Sequence, residues 1–235
     1  MFGYLPDPVD ARDRLTPLSL SRGAVPAEID LRVELLPVIN QGSVGCCVGA
    51  AFADVAWREF QLAGRAAPQL SRLFTYWGAR RRAGTQTYDA GCYPRDACAA
   101  LQKVGAASES FWPETEPWSH EPDAGAWLSA VGWRISSYHR VETTSELESE
   151  LADGHLVMYG FGARGNFLDV GSDGDYAPDS SLPIIGGHAV VAVGYRSGRV
   201  LTRNSWGRSW GEAGHFWMRY EDWDACVSDA WAVRA

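Results

Sequence analysis

The sequence predicts an α+β chain: a mainly helical first half, a second half of antiparallel strands forming a sheet or barrel, and a cleft between them. Two observations carry this expectation. Apolar residues recur at helical spacing at Val48, Phe52, Val55, Ala56 and Phe60. Later in the chain, runs of β-branched and aromatic residues stand between turn residues, as in His188-Ala189-Val190-Val191-Ala192-Val193-Gly194-Tyr195. A length of 235 residues, 46% of them hydrophobic, is enough for one sizeable core.

In chain order, helices are predicted over 47–62, over 71–82 with Ser71 as a cap, and over 94–104, where Pro94 suits a first turn and Gly105 a stop. Strands are predicted over 133–141, 156–161, 188–195, 199–203, 215–219 and 231–233. One helix interrupts them at 145–153, with Thr143 and Glu146 spaced for a capping box. Residues 1–24 read as an N-terminal extension, 25–115 as the helical half and 116–235 as the β half of one domain. Arg80-Arg81-Arg82 reads as a solvated helix end suited to the negative pole of the dipole.

Composition excludes several classes of function. A net charge of −8 argues against a nucleic-acid partner, which needs a basic face. No stretch reaches the roughly 18 apolar residues of a membrane span. The amino terminus lacks a basic region followed by an apolar run, so a cytoplasmic location is expected. The five cysteines include no CxxC spacing and predict no zinc site. Cys92, Cys98 and Cys226 read as small buried hydrophobes, a Cys92–Cys98 bridge being the alternative, and the odd thiol favours a reducing compartment. Residues 169–179 are acidic and Gly-rich but lack the EF-hand register, and read as a solvated loop. No metal or cofactor is predicted.

The residues that invite chemistry begin at Asn40-Gln41-Gly42-Ser43-Val44-Gly45-Cys46-Cys47, where two thiols open the first predicted helix. A thiol is mostly protonated at neutral pH, and only its thiolate attacks a carbonyl well. A helix N-terminus, an imidazolium alongside, and a group orienting the far side of that ring would each favour the thiolate. The chain has five histidines and three asparagines. His188 stands at the mouth of an apolar strand, a costly place for a titratable ring without a purpose. Asn204 lies in Arg203-Asn204-Ser205-Trp206-Gly207-Arg208-Ser209-Trp210-Gly211-Glu212-Ala213-Gly214.

Together these segments resemble the papain-like cysteine peptidases: Gln41 through Cys47, then Gly187-His188-Ala189, then Asn204-Ser205-Trp206-Gly207, with Cys47 and His188 separated by 141 residues. The flanks Gly3-Tyr4-Leu5-Pro6-Asp7 and Glu109-Ser110-Phe111-Trp112-Pro113 resemble bacterial and phage members, and Val25-Pro26-Ala27-Glu28-Ile29-Asp30 resembles the start of a mature enzyme. The resemblance implies a papain-like fold and hydrolysis of peptide bonds through a thioester. In that reading Cys47 is the nucleophile, His188 its base and acid, and Asn204 the group that orients the imidazole. Gln41 would donate to the oxyanion and Trp206 would shield the Asn–His contact. Cys46 takes the family's usual serine position, and register with Gln41 favours Cys47 as nucleophile. Val44 replaces the cysteine that secreted relatives use in a disulfide.

Fold analogy places Gly91, Met158, Tyr159 and Gly187 at a substrate pocket, with an extended polypeptide as partner. The short stretch before Val25 implies that no cleaved helical prodomain restrains the enzyme. Two other readings keep the same residues: a papain-like amidase or acyl transferase, and a catalytically silent peptide-binding module.

Overall fold

The computed structural model describes residues 2–15 and 25–235; residues 16–24 of the predicted extension lie outside the described residues. Seven strands form one antiparallel sheet: β1 (Glu28–Asp30), β2 (Ser137–Arg140), β3 (Val157–Arg164), β4 (Ile184–Arg196), β5 (Arg199–Arg203), β6 (His215–Arg219) and β7 (Val227–Arg234). Their order is β2-β7-β3-β4-β5-β6, with β1 added to the far end of β4. The sheet is open, so the barrel alternative is corrected: β2 and β6 remain edges. The helices are α1 (Cys47–Leu62), α2 (Arg72–Ala83), α3 (Pro94–Lys103), α4 (Ala124–Ala130), α5 (Thr144–Ala152) and α6 (Tyr220–Cys226).

α1 is the central helix, packed between α2 and strands β4 and β7. It is buried almost all round, as a core helix must be. Its buried charges are partnered: Arg58 Nε donates to the Gly154 carbonyl at 2.8 Å, and Glu59 lies 2.7 Å from His155 Nδ1. Gly49 permits the close approach of α2, since a Cβ there would stand 2.4 Å from the Arg72 carbonyl oxygen.

Local signals set the helix ends. The Ser71 side chain accepts from Phe74 N–H at 3.1 Å, Gly84 closes α2 in the left-handed region, and Thr143 with Glu146 forms a complete capping box. One expectation fails here. Arg80 is fully buried, not a solvated helix end. Its guanidinium lies 3.9 Å from the Tyr76 ring and donates to the carbonyls of Gln86, Tyr88 and Trp118. Arg81 and Arg82 alone keep the exposed role.

Residues 169–179 are held to β6 by Tyr176 N–H to Trp217 O at 3.0 Å and Trp217 N–H to Gly174 O at 2.8 Å. Asp175 pairs with Arg199 at 2.9 Å. Among the described residues no group of three or more acidic, His or Cys side chains is placed to hold a metal. All five cysteines are free thiols.

Candidate active site

The turn ahead of α1 delivers two thiols in different settings. Cys46 is the N-cap and Cys47 the first helical residue, and both are fully buried. Gly42 turns the chain at φ +62, and Gly45 N–H donates to both oxygens of the Asp89 carboxylate, at 3.2 and 3.0 Å. Tyr76 donates its hydroxyl to the same carboxylate and accepts from Gly91 N–H at 3.1 Å. Asp89 and Tyr76 therefore tie the cysteine turn to the opposite wall at Gly91. A lone loop aspartate gave no sequence signal for this positioning role.

Gln41 is 3% exposed, with its side chain fixed at both ends. Its Oε1 accepts from Ser205 Oγ at 2.6 Å and its Nε2 donates to the Val44 carbonyl at 2.8 Å. Its backbone N–H also donates to Ser205 O at 2.8 Å. The segment before Cys47 is thereby fastened to the segment that carries Asn204.

His188 lies in β4, opposite Phe161 of β3, and Asn204 directly follows β5. His188 Nε2 meets Asn204 Oδ1 at 2.8 Å, an oxygen that also accepts from Ser205 N–H at 2.8 Å. Since this oxygen can only accept, Nε2 carries the proton. Nδ1 has no hydrogen-bond partner among the described residues. The Trp206 ring covers the imidazole at 4.8 Å between centroids, and Phe167 closes another side at 5.5 Å. Such cover keeps water from competing for the His–Asn hydrogen bond.

Residues Phe2 to Leu5 cross this site as a strap. The N–H groups of Gly3 and Tyr4 both donate to the Gly187 carbonyl at 3.0 Å, Cys92 N–H donates to Gly3 O at 2.9 Å, and Leu5 N–H donates to Cys92 O at 3.2 Å. Phe2 stands edge-on to His188 and Trp206, each at 5.8 Å between centroids. The backbone N–H groups of Ala189, Gly3 and Val48 lie against the Cys47 sulfur. This short segment crosses the cleft between the Cys47 turn and the His188 strand. Its Gly-Tyr pattern carries no strand or helix period that could reveal it.

Burial by the strap and the two walls dominates the electrostatics. It pushes the Cys47 thiol up to about 11, against the three N–H groups that favour the thiolate. It pushes His188 down to about 4, against the Asn204 hydrogen bond. With the strap seated, burial disfavours the charged forms of both the thiol and the imidazole. Cys46 is pushed up to about 12 by burial, only partly offset by Arg72.

Asp7 anchors the strap. Its N–H donates to Asp229 Oδ2 at 2.9 Å, and its carboxylate accepts from Arg95 N–H at 3.1 Å and Trp231 Nε1 at 3.0 Å. Burial and then the Asp229 charge push Asp7 up to about 7, against Arg95 and Trp231. A released strap would return Asp7 to about 4. The seated strap thus binds the proton more tightly, so seating is strongest below about pH 4, weakens as pH rises to about 7, and is flat above. Hydrogen exchange at Gly3 and Tyr4, corrected for intrinsic rates, should show protection falling over that window. Asp7→Asn should flatten the dependence, and an unchanged slope in that variant would refute the assignment.

Of the pocket residues expected from analogy, Gly91 and Gly187 face the strap: a Cβ on either would stand 2.3 Å from Gly3 O or 2.1 Å from Tyr4 O. Met158 is fully buried in β3. Tyr159 is corrected: it projects from the other face of the strand, its hydroxyl 2.6 Å from Thr202 Oγ1, inside the core. Gly160, one residue on, lies against the strap instead.

Known proteins give this geometry its context. Xylellain, a cysteine protease from Xylella fastidiosa, superimposes with a TM-score of 0.91 at 30% identity, over 100% of this chain and 96% of its own. The Carica candamarcensis cysteine protease CMS1MS2, solved with E-64, shares the fold at TM-score 0.71 and 24% identity, over 89% of this chain and 99% of its own. An uncharacterized peptidase C1-like protein of Acanthamoeba polyphaga mimivirus is 28% identical over 99% of this chain and 86% of its own length. The papain family cysteine protease profile matches residues 25–233. A profile match over that span, on a fold that joins the Cys47 helix to the His188–Asn204 sheet, makes this chain a member of the papain family, a cysteine peptidase.

Proposed function

We propose that the chain is an endopeptidase that cleaves extended polypeptides through Cys47, His188 and Asn204. The observation that carries this reading is the His188 Nε2 contact to Asn204 Oδ1 at 2.8 Å beneath Trp206, which leaves Nδ1 for the thiol. Once the cleft opens, the sulfur passes its proton to Nδ1 and attacks the carbonyl carbon, forming a C–S bond. The oxyanion is met by the Gln41 amide and the Cys47 N–H. The imidazolium protonates the leaving amine as the C–N bond breaks, giving a thioester. Nδ1 then takes a proton from water, whose oxygen attacks the thioester, and the thiol is restored as the acid departs.

Iodoacetamide labelling with peptide mapping tests the nucleophile, and mass spectrometry of products separates hydrolysis from acyl transfer to an amine. A label on Cys46 alone, or no cleaved peptide, would overturn the proposal. Asn204→Ala should lower kcat/KM roughly tenfold to a hundredfold, the effect of one hydrogen bond to a group that becomes charged. Unchanged kcat/KM, measured across the pH profile, would remove Asn204 from the mechanism.

A further inference from the structure

The peptide group between Val44 and Gly45 is held from both sides. Its carbonyl accepts from Gln41 Nε2 at 2.8 Å, and its N–H donates to the two oxygens of Asp89 at 3.2 and 3.0 Å. The facing of Gln41 is forced: the Val44 carbonyl takes only a donor, so Nε2 points to it, while Oε1 accepts from Ser205 Oγ at 2.6 Å. An amide nitrogen carries two hydrogens, and the direction of the bond to Val44 fixes where the other one points. Asp89 is itself anchored. The Tyr76 hydroxyl donates to it and accepts from Gly91 N–H at 3.1 Å, and the buried Arg80 guanidinium lies 3.9 Å from the Tyr76 ring. A Cβ on Gly45 would stand 2.9 Å from Asp89 Oδ1, so the glycine is what admits the carboxylate. Val44 stands where secreted relatives carry a disulfide cysteine, and here hydrogen bonds take the place of a covalent bridge.

We propose that Asp89 is a positioning residue for the oxyanion hole, acting on Gln41 through the Val44–Gly45 peptide group. This rests on the peptidase reading above. A carboxylate drawing on the Gly45 N–H polarises the peptide and makes the Val44 carbonyl a stronger acceptor, because hydrogen bonds in a chain reinforce one another. Gln41 Nε2 is thereby fixed before substrate arrives. Such fixing is what lets a donor stabilise a charge that exists only in the transition state. The role is indirect: loss of Asp89 loosens Gln41 and leaves the Cys47 sulfur as reactive as before.

The test is a ratio: kcat/KM on a fluorogenic peptide divided by the rate at which iodoacetamide alkylates Cys47, both measured on the full chain. Each reaction needs the strap lifted and the sulfur ready, but only cleavage builds an oxyanion. Asp89→Ala should lower the ratio about tenfold, the lower end of what a hydrogen bond to a charged group contributes. The loss should fall on kcat, with KM within about twofold. Asp89→Asn keeps an acceptor for Gly45 N–H and should lose about threefold. Tyr76→Phe keeps the ring against Arg80 and should fall between wild type and Asp89→Ala; with Asp89→Asn it carries the test if Asp89→Ala does not fold. In a Gln41→Ala background, Asp89→Ala should move the ratio by less than about twofold, since the group it positions is gone. An equal loss with and without Gln41 refutes the role. So does cleavage that slows only in step with alkylation, at a constant ratio, which marks a merely structural clamp. If wild type is alkylated at Cys47 yet cleaves no peptide, the peptidase reading fails instead and a peptide aldehyde decides. Its carbonyl carbon bonds to the Cys47 sulfur, the thiol proton passes to its oxygen, and that oxygen occupies the hole. Asp89→Ala should then weaken protection of Cys47 by the aldehyde about tenfold, and equal protection overturns the role.

Discussion

Cys47→Ala should abolish peptide cleavage, with a loss of roughly 10⁴-fold or more, the scale on which removal of a nucleophile acts. Cys46→Ala should leave kcat/KM within about threefold. The two thiols are adjacent in sequence and equally buried, so burial does not separate them. Position does. Cys47 opens α1, where unpaired N–H groups favour an anion, and Ala189, the neighbour of His188, presents its N–H to the Cys47 sulfur. Cys46 faces Arg72 and makes no capping bond, and burial holds its thiol at about 12. The check is kcat/KM on a fluorogenic peptide for both variants, with mapping of the alkylated cysteine in wild type. An active Cys47→Ala enzyme, or an inactive but folded Cys46→Ala enzyme, would reverse the assignment.

Sequence reveals most of what is local in this molecule and little of what depends on distant partners. The observed bounds of α1, β5 and β6 agree with those read from the sequence, because α1 carries apolar residues at helical spacing and the two strands are short runs rich in β-branched, aromatic and other apolar residues set off by turns. The α5 capping box is legible for the same reason: both partners lie within four residues. β1, only three residues long, exists through its pairing with β4, and α4 and α6 span seven residues each, too few for a period to stand out. Arg80 looks like a surface charge until Gln86, Tyr88 and Trp118 supply carbonyls from elsewhere in the chain. In β3 the pleat decides the outcome: a one-residue step from Tyr159 to Gly160 exchanges the core face for the cleft face. Cys47, His188 and Asn204 stand out in the sequence through the motifs that carry the family resemblance, and the fold sets His188 against Asn204. Asp89, Asp229 and the strap do not stand out, since a carboxylate acquires its role only from what the fold places beside it.

Gly3→Ala should raise both the alkylation rate of Cys47 and kcat/KM by up to about a hundredfold, through steric ejection of the strap. A Cβ on Gly3 would lie 1.8 Å from the Gly45 carbonyl oxygen and 2.4 Å from its carbon, less than any tolerable contact. Gly45 cannot yield easily, because its N–H is held by both oxygens of Asp89. On the other side, Gly3 is clamped by hydrogen bonds to Gly187 O and Cys92 N–H, so the whole strap must lift. The magnitude follows from population: a site open 1% of the time gains about a hundredfold when the closed state is removed. Opening also rehydrates Cys47 and His188, returning the thiol towards its ordinary range and the imidazole upward, so the thiolate–imidazolium pair becomes accessible at neutral pH. The variant should therefore alkylate measurably at pH 7 where wild type reacts slowly, and its rate should no longer follow the Asp7 titration. Equal rates for the two proteins would mean that the strap leaves too readily to restrain the site.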